Sequence, residues 1–329
     1  MITTTSMWAE HKDRVLNGVF NLVGSGGPVS GSAFSISGVR PTGLGVAGYG
    51  SRYLNLSNGV EYWNEGTILS PYWTPIDFNH PALLAFQDDF RNGVGEALTA
   101  TNTNALLARS GIRIHGDGLS EVDSGAVVTF AEDGPILTLT TTDEVNHLVV
   151  LSQGDTNPIF QPDRHAPLVA DVLFTSVSAI TLRRYFLGAL GTIADALVSP
   201  VTGSTTTLTL VQDDVAGMFM DAALTDAAGI FLPHNKSDEA ASIATTATGV
   251  DTGYDVEAAA TYQRWRIEIN SAGVLTAFKN KVQIGQISAA LDADEELALA
   301  FLIASTSTAV KSCIVKKVAF WGQRNTYLN

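Results

Sequence analysis

From about Pro81 to Arg324 the chain is written in short runs in which apolar and polar positions alternate, separated by Gly, Asn, Asp, Ser and Pro. A period of two is the signature of a strand with one face on a core. On this pattern Ala126 to Phe130, Ile136 to Thr141, Leu148 to Leu151, Leu168 to Thr175, Ile180 to Leu190, Thr207 to Val211, Met218 to Met220, Tyr262 to Asn270, Val274 to Lys279, Val282 to Ile287, Leu297 to Ser305 and Ser312 to Trp321 are predicted strands. In Tyr262 to Asn270, Trp265, Ile267 and Ile269 fall on one face and Arg264, Arg266 and Glu268 on the other. This predicts a half-buried antiparallel strand with its charged face in water. Leu297 to Ala304 is apolar without alternation, which predicts a central strand covered on both faces. Ala82 to Phe90 and Glu96 to Ala108 are predicted helices. Many strands and few helices give a mainly β chain, most simply a β-sandwich, because stacked sheets bury one-faced and two-faced strands together.

Two segments precede this region. Residues 51–80 hold a dense aromatic unit, Tyr53-Leu54-Asn55-Leu56-Ser57-Asn58-Gly59-Val60-Glu61-Tyr62-Trp63, closing with Pro71-Tyr72-Trp73-Thr74-Pro75. Asn58-Gly59 between alternating runs predicts a β-hairpin, since a type I′ turn needs positive φ at both central residues. Tyr62, Trp63, Tyr72 and Trp73 are either the core of this small module or, where they face outward, a platform on which sugar rings stack. Residues 1–50 carry only Glu10, Lys12, Asp13, Arg14 and Arg40 as charges, a net of +1, and are rich in glycine. The segment reads either as a floppy terminus or as an extended arm that gains order on a partner surface, and the arm is favoured because Phe20, Leu22, Val23, Phe34, Ile36 and Val39 are more apolar than a free linker usually tolerates. The expected organisation is therefore an arm (1–50), a small module (51–80) and a sandwich domain (81–329).

Composition narrows the functions. The 329 residues carry a net charge of −14, and a chain of that sign repels nucleic acid and anionic lipid. The single cysteine, Cys313, permits no intrachain disulfide and sits in an apolar strand. The start at Met1 lacks the basic and apolar regions of a secretory signal, and no run reaches the roughly 18–20 apolar residues of a membrane span. A soluble product of the cytosol is expected, with no nucleic-acid or membrane partner.

Candidate chemistry is sparse. Glu-x-Asp-x-x-Glu, which would set two carboxylates on one strand face at glycosidase separation, does not occur. Glu121-Val122-Asp123 has Ala126 in place of the last glutamate, and Asp292-Ala293-Asp294-Glu295-Glu296 reads as an acidic turn. The six histidines stand singly without zinc spacing. His115 to Asp123 clusters oxygens that resemble a calcium loop less than ordinary Asp-Gly turn chemistry. No phosphate loop or Gly-x-Ser-x-Gly elbow is present. No catalytic residue, cofactor or metal is assigned, and the expectation is a protein that is not an enzyme. Arg183-Arg184, the one basic pair inside a predicted strand, is a candidate subunit contact or a solvated edge.

The order Trp265-Arg266-Ile267-Glu268-Ile269-Asn270, the turn at Ser271-Ala272-Gly273, Val274 to Phe278, Val282 to Ile287, an apolar strand and a closing Val318-Ala319-Phe320-Trp321 resembles the concanavalin A-like jelly roll of bacteriophage virion proteins. Phe86-Gln87-Asp88-Asp89-Phe90 and Phe160 to Pro167 are similar to its first half, so the resemblance spans roughly residues 85–323. Residues 51–76 resemble a short unit found in phage fibres and head appendages. The resemblance implies a virion structural protein made in the host cytoplasm: a capsid decoration or cement protein, a homotrimer, with the major capsid protein or other virion proteins as partners. The alternatives are a head- or tail-fibre module that binds host surface glycan and, third, a polysaccharide hydrolase.

Overall fold

The computed structural model describes residues 20–21, 33–37, 48–55, 59–67, 69–90, 97–98, 104–107, 110–116, 125–131, 134–141, 144–153, 158–191, 199–211, 214–235, 245–246 and 250–324. The chain forms two compact units. One holds residues 1–84 with 281–283 and 324–329, the other 85–280 with 284–323.

Among the described residues the larger unit is built on two nine-stranded sheets. The main path of the first runs Val282–Ile287, Leu275–Lys279, Gln263–Ile269, Leu168–Ser176, Ser312–Gln323, Gly134–Thr140, Gly125–Ala131 and Ala97–Leu98. That of the second runs Asp251–Asp255, Gly229–Phe231, Val215–Asp221, Arg183–Leu190, Ala298–Ser305, Leu148–Gln153, Ile112–Gly116 and Asn104–Leu107. Consecutive strands change sheets: Gly134–Thr140, Leu148–Gln153, Leu168–Ser176 and Arg183–Leu190 alternate between the first and the second, and Ala298–Ser305 hands over to Ser312–Gln323. The pairings along both paths are antiparallel. The mainly β sandwich of stacked antiparallel sheets that the pattern predicts is the fold of this unit.

Its interior is aromatic. Phe174 and Trp265 from the first sheet meet Tyr185 and Phe301 from the second, with centroids 4.9 Å apart for Phe174–Phe301 and 5.3 Å for Phe174–Trp265. Tyr185 and Phe301 lie stacked at an interplanar angle of 10°. The opposite face of the second sheet is covered too. Phe186, Leu302, Leu148 and Phe219 pack into one apolar cluster with Val201, Leu208 and Leu210. These last three come from the paired strands Val201–Ser204 and Thr207–Leu210. Ala298–Ser305 is accordingly buried along its whole length, as its unbroken apolar run predicts.

Two expectations are corrected. The segments read as helices are strands where they are described, Leu83–Asp88, Ala97–Leu98 and Asn104–Leu107. Short apolar runs satisfy either periodicity, and backbone pairing with neighbouring strands overrides a modest helix propensity. The charged face of Gln263–Ile269 is not in water: Arg266 and Glu268 are buried. Register sets Asp171 opposite Arg266, so these side chains neutralise one another within the protein.

The smaller unit carries a five-stranded sheet in the order Phe20–Asn21, Ala33–Ser37, Arg52–Asn55, Glu61–Asn64, Trp73–Pro75. Gly59 holds φ = 75° and donates to the Asn55 carbonyl at 2.7 Å, and Arg52–Asn55 pairs with Glu61–Asn64 as the predicted hairpin; Asn58, the other predicted turn residue, lies outside the described residues. One sheet face is its core: Tyr53 stacks on Tyr62 at 5.6 Å and meets Trp73 edge-on at 5.9 Å.

Candidate functional site

Adjacent residues of a strand point to opposite faces, so in Glu61-Tyr62-Trp63-Asn64 the neighbours Tyr62 and Trp63 cannot share one role. Tyr62 and Asn64 face the core of the small sheet; Trp63 faces out and is 42% exposed. Beside it stands Tyr49, 66% exposed, its ring 6.3 Å from Trp63 at 71°, an edge-to-face pair. Arg52 lies opposite Trp63 in register, and its guanidinium meets the Glu61 carboxylate at 3.2 Å with both side chains open to solvent.

Asn64 builds this face from beneath. Its fully buried side-chain amide donates to the Gly48 carbonyl at 3.0 Å, and its Oδ1 accepts from the backbone N–H groups of Gly66 (2.9 Å) and Tyr72 (2.7 Å). Its own N–H donates to the Ser51 carbonyl, and its carbonyl accepts from Gly50. Gly48 and Gly50 are thus both fastened to one buried residue, and Tyr49 is presented between them. The ring pair is positioned before any ligand arrives, which lowers the ordering cost of binding.

The sandwich holds its charges inside. Asp221, fully buried, accepts from Arg184 Nε (2.7 Å) and from the backbone N–H groups of Gly203 (2.8 Å) and Ala223 (2.9 Å). Arg184 Nη2 completes the contact at 2.7 Å. Asp171 receives Arg264 through Nε at 2.8 Å and Nη2 at 2.6 Å. Arg266 meets Glu268 at 2.6 Å and lies over the Trp321 ring at 4.9 Å. Burial pushes the Asp171 carboxyl up, but the charge and hydrogen bonds of Arg264, with the charges of Arg266 and Lys317, outweigh it and hold the group below the ordinary value of 3.8. A carboxylate held ionised in this way is no proton donor near neutral pH. Burial also pushes the Cys313 thiol and the Tyr185 phenol each up to about 12, so neither is a nucleophile under ordinary conditions.

The predicted site residues therefore divide. Of the four aromatics proposed for sugar stacking only Trp63 is outward; Tyr62, Tyr72 and Trp73 are buried. Arg183 and Arg184, expected at a subunit contact or a solvated edge, lie buried on a strand flanked on both sides. Arg183 donates to the Tyr185 hydroxyl, the Ser312 carbonyl and Ser178 Oγ, and Arg184 to Asp221, so both head groups are engaged within the chain. Phe20, Phe34 and Ile36 fall on the first two strands of the small sheet, where Phe20 pairs with Phe34 and Phe34 with Arg52; Leu22, Val23 and Val39 lie outside the described residues. Tyr49, Arg52 and Glu61 do not stand out as site residues from local pattern alone. What signal there is lies in Gly48-Tyr49-Gly50, an aromatic ring set between two glycines just before a strand. Among the described residues no group of three or more His, Cys, Asp or Glu side chains could hold a metal ion, and no helix is long and apolar enough to cross a membrane.

No protein-family model matches the chain, and no curated protein matches it. Solved structures do. A protein of unknown function from Shewanella oneidensis aligns with a TM-score of 0.45 and 12% identity over 75% of this chain and 89% of its own. β-Agarase A from Zobellia galactanivorans aligns with a TM-score of 0.42 and 10% identity over 74% and 97%. Peanut lectin, solved with a nine-residue peptide, aligns with a TM-score of 0.41 and 10% identity over 73% and 97%.

Proposed function

We propose that this chain is a non-enzymatic structural protein of a bacteriophage particle, specifically a capsid decoration or cement protein. In this reading the N-terminal region grips the shell, with the major capsid protein or another virion protein as partner, and the sandwich is displayed outward. The observation that carries it is the construction of the small sheet. Phe20–Asn21 and Ala33–Ser37 belong to the near-neutral first 50 residues, yet among the described residues they form two of the sheet's five strands, with Phe20–Asn21 outermost. The N-terminal segment is thus built into the small sheet, and its near-neutral, apolar composition suits a partner surface. The resemblance of residues 51–76 and 85–323 to phage virion proteins supports the same assignment, and a homotrimer is the assembly it implies. The arginine-bound carboxylates Asp171, Asp221 and Glu268 favour a structural use of charge over acid-base chemistry.

Deleting residues 1–50 is expected to abolish incorporation into particles while the remaining sandwich still unfolds cooperatively; incorporation at the full-length level would overturn the anchoring role. A second reading, a head- or tail-fibre module that binds host glycan, is favoured by the exposed Tyr49–Trp63 pair.

A further inference from the structure

We infer that the outward face of the small sheet is a binding site for a neutral saccharide, with Trp63 and Tyr49 as the stacking platform and Arg52 and Glu61 as the groups that read its hydroxyls. The inference rests on the glycan-binding reading and names the residues and ligand class for it.

Three observations meet at this face. The first is the ring pair: Trp63 and Tyr49 stand edge to face at 6.3 Å, exposed by 42% and 66%. A pyranose offers one face of C–H groups, and an exposed indole is a flat, electron-rich surface that fits it; a second ring set edge-on walls one side. The second is rigidity. Both glycines flanking Tyr49 are tied to Asn64, which is itself fully buried, so the loop is held in place without a ligand. The third is charge. Arg52, the cation opposite Trp63, is matched by Glu61 at 3.2 Å, and the pair offers donors and acceptors while carrying no net charge. An anionic sugar would have to displace Glu61, within a chain of net charge −14. A neutral sugar keeps the ion pair and bonds to its outer edge. A protein contact is the competing occupant, because Ile76, which donates its N–H to the Glu61 carbonyl and so lies opposite Glu61 on this face, is 45% exposed; the ring pair and the charge-matched Arg52–Glu61 pair favour the saccharide, and particle incorporation separates the two.

The test uses the full-length chain titrated, at up to roughly millimolar concentration, with maltotetraose, cellotetraose, triacetylchitotriose and an array of neutral bacterial surface oligosaccharides. Sialyllactose serves as the anionic comparison, and binding is read by saturation-transfer NMR. Binding of at least one neutral saccharide is expected, with little response to sialyllactose. Trp63→Ala is expected to weaken it about tenfold or more, the scale of a stripped aromatic anchor, and Trp63→Phe to restore part of the loss. Tyr49→Ala, at a more exposed position, gives the same readout should Trp63→Ala disturb the sheet. No neutral saccharide bound, or binding unchanged in both alanine variants, overturns the inference. Incorporation of Trp63→Ala into particles is measured in parallel. Normal incorporation with no saccharide binding would remove this inference and leave the virion assignment standing. Lost incorporation with no saccharide binding would make the face a protein contact and overturn the saccharide site.

Discussion

Replacing Asp221 with alanine is expected to be among the most destabilising single changes in the sandwich. The carboxylate is fully buried and accepts from two nitrogens of Arg184 and from two backbone N–H groups, on Gly203 and Ala223. Removing it leaves the buried guanidinium without its counter-charge and strips both backbone donors of their acceptor. Breaking a buried pair from one side costs about 3–5 kcal/mol, more than the pair itself contributes. At roughly 2–4 °C per kcal/mol for a domain of this size, the melting temperature should fall by about 6–20 °C. Arg184→Met, which removes the charge but keeps much of the stem, should cost less, because the two backbone donors retain the carboxylate. Differential scanning calorimetry of both variants checks this order, and a smaller loss for Asp221→Ala than for Arg184→Met would contradict it.

The second large effect is a pH signature at Asp171. Its native-state value lies below the ordinary 3.8 because Arg264, Arg266 and Lys317 outweigh the penalty of burial. In that window the unfolded chain binds more protons than the native one, so stability rises with pH across it. The contribution is complete above the ordinary carboxylate value and is lost as pH falls through the lowered native value. Asp171→Asn keeps the shape but discards the charge, weakening the two-nitrogen contact of half-buried Arg264 and removing a counter-charge 3.9 Å from buried Arg266, so the loss is expected to be smaller than for Asp221. The stability difference between wild type and variant should be constant at neutral and mildly acidic pH and should shrink only below 3.8. Urea unfolding across that range reads it directly; a difference that stays constant to the most acidic point would show that Asp171 does not stabilise through its charge.

These buried charges mark where the sequence stopped being legible. Strands with period two, such as Leu168–Ser176 and Gln263–Ile269, were readable because alternation is a local property, and the covered strand Ala298–Ser305 was readable because it lacked alternation. The destination of the polar face was not. Arg264, Arg266 and Glu268 look like a solvated row until register brings Asp171 opposite Arg266, some 95 residues away in the chain. Arg183-Arg184 misled for the same reason: a basic pair in isolation signals a surface, and the carboxylate that receives Arg184 is 37 residues further on. In the small module, alternation already required Tyr62 and Trp63 to face opposite ways but could not say which faced out. That was decided by packing, where Tyr53, Tyr62 and Trp73 close one face and leave Trp63 on the other. Tyr49 was missed because its place depends on Asn64, a residue beyond the turn whose buried amide ties the loop to the sheet.

If this chain is a structural component of a particle, as proposed, its abundance there reports the role directly. Quantitative mass spectrometry of purified, washed particles gives its copy number relative to the major capsid protein. Hundreds of copies per particle are expected, as a shell-covering decoration protein requires. Absence from the particles would contradict the claim, and a count of only a few copies would contradict the decoration role.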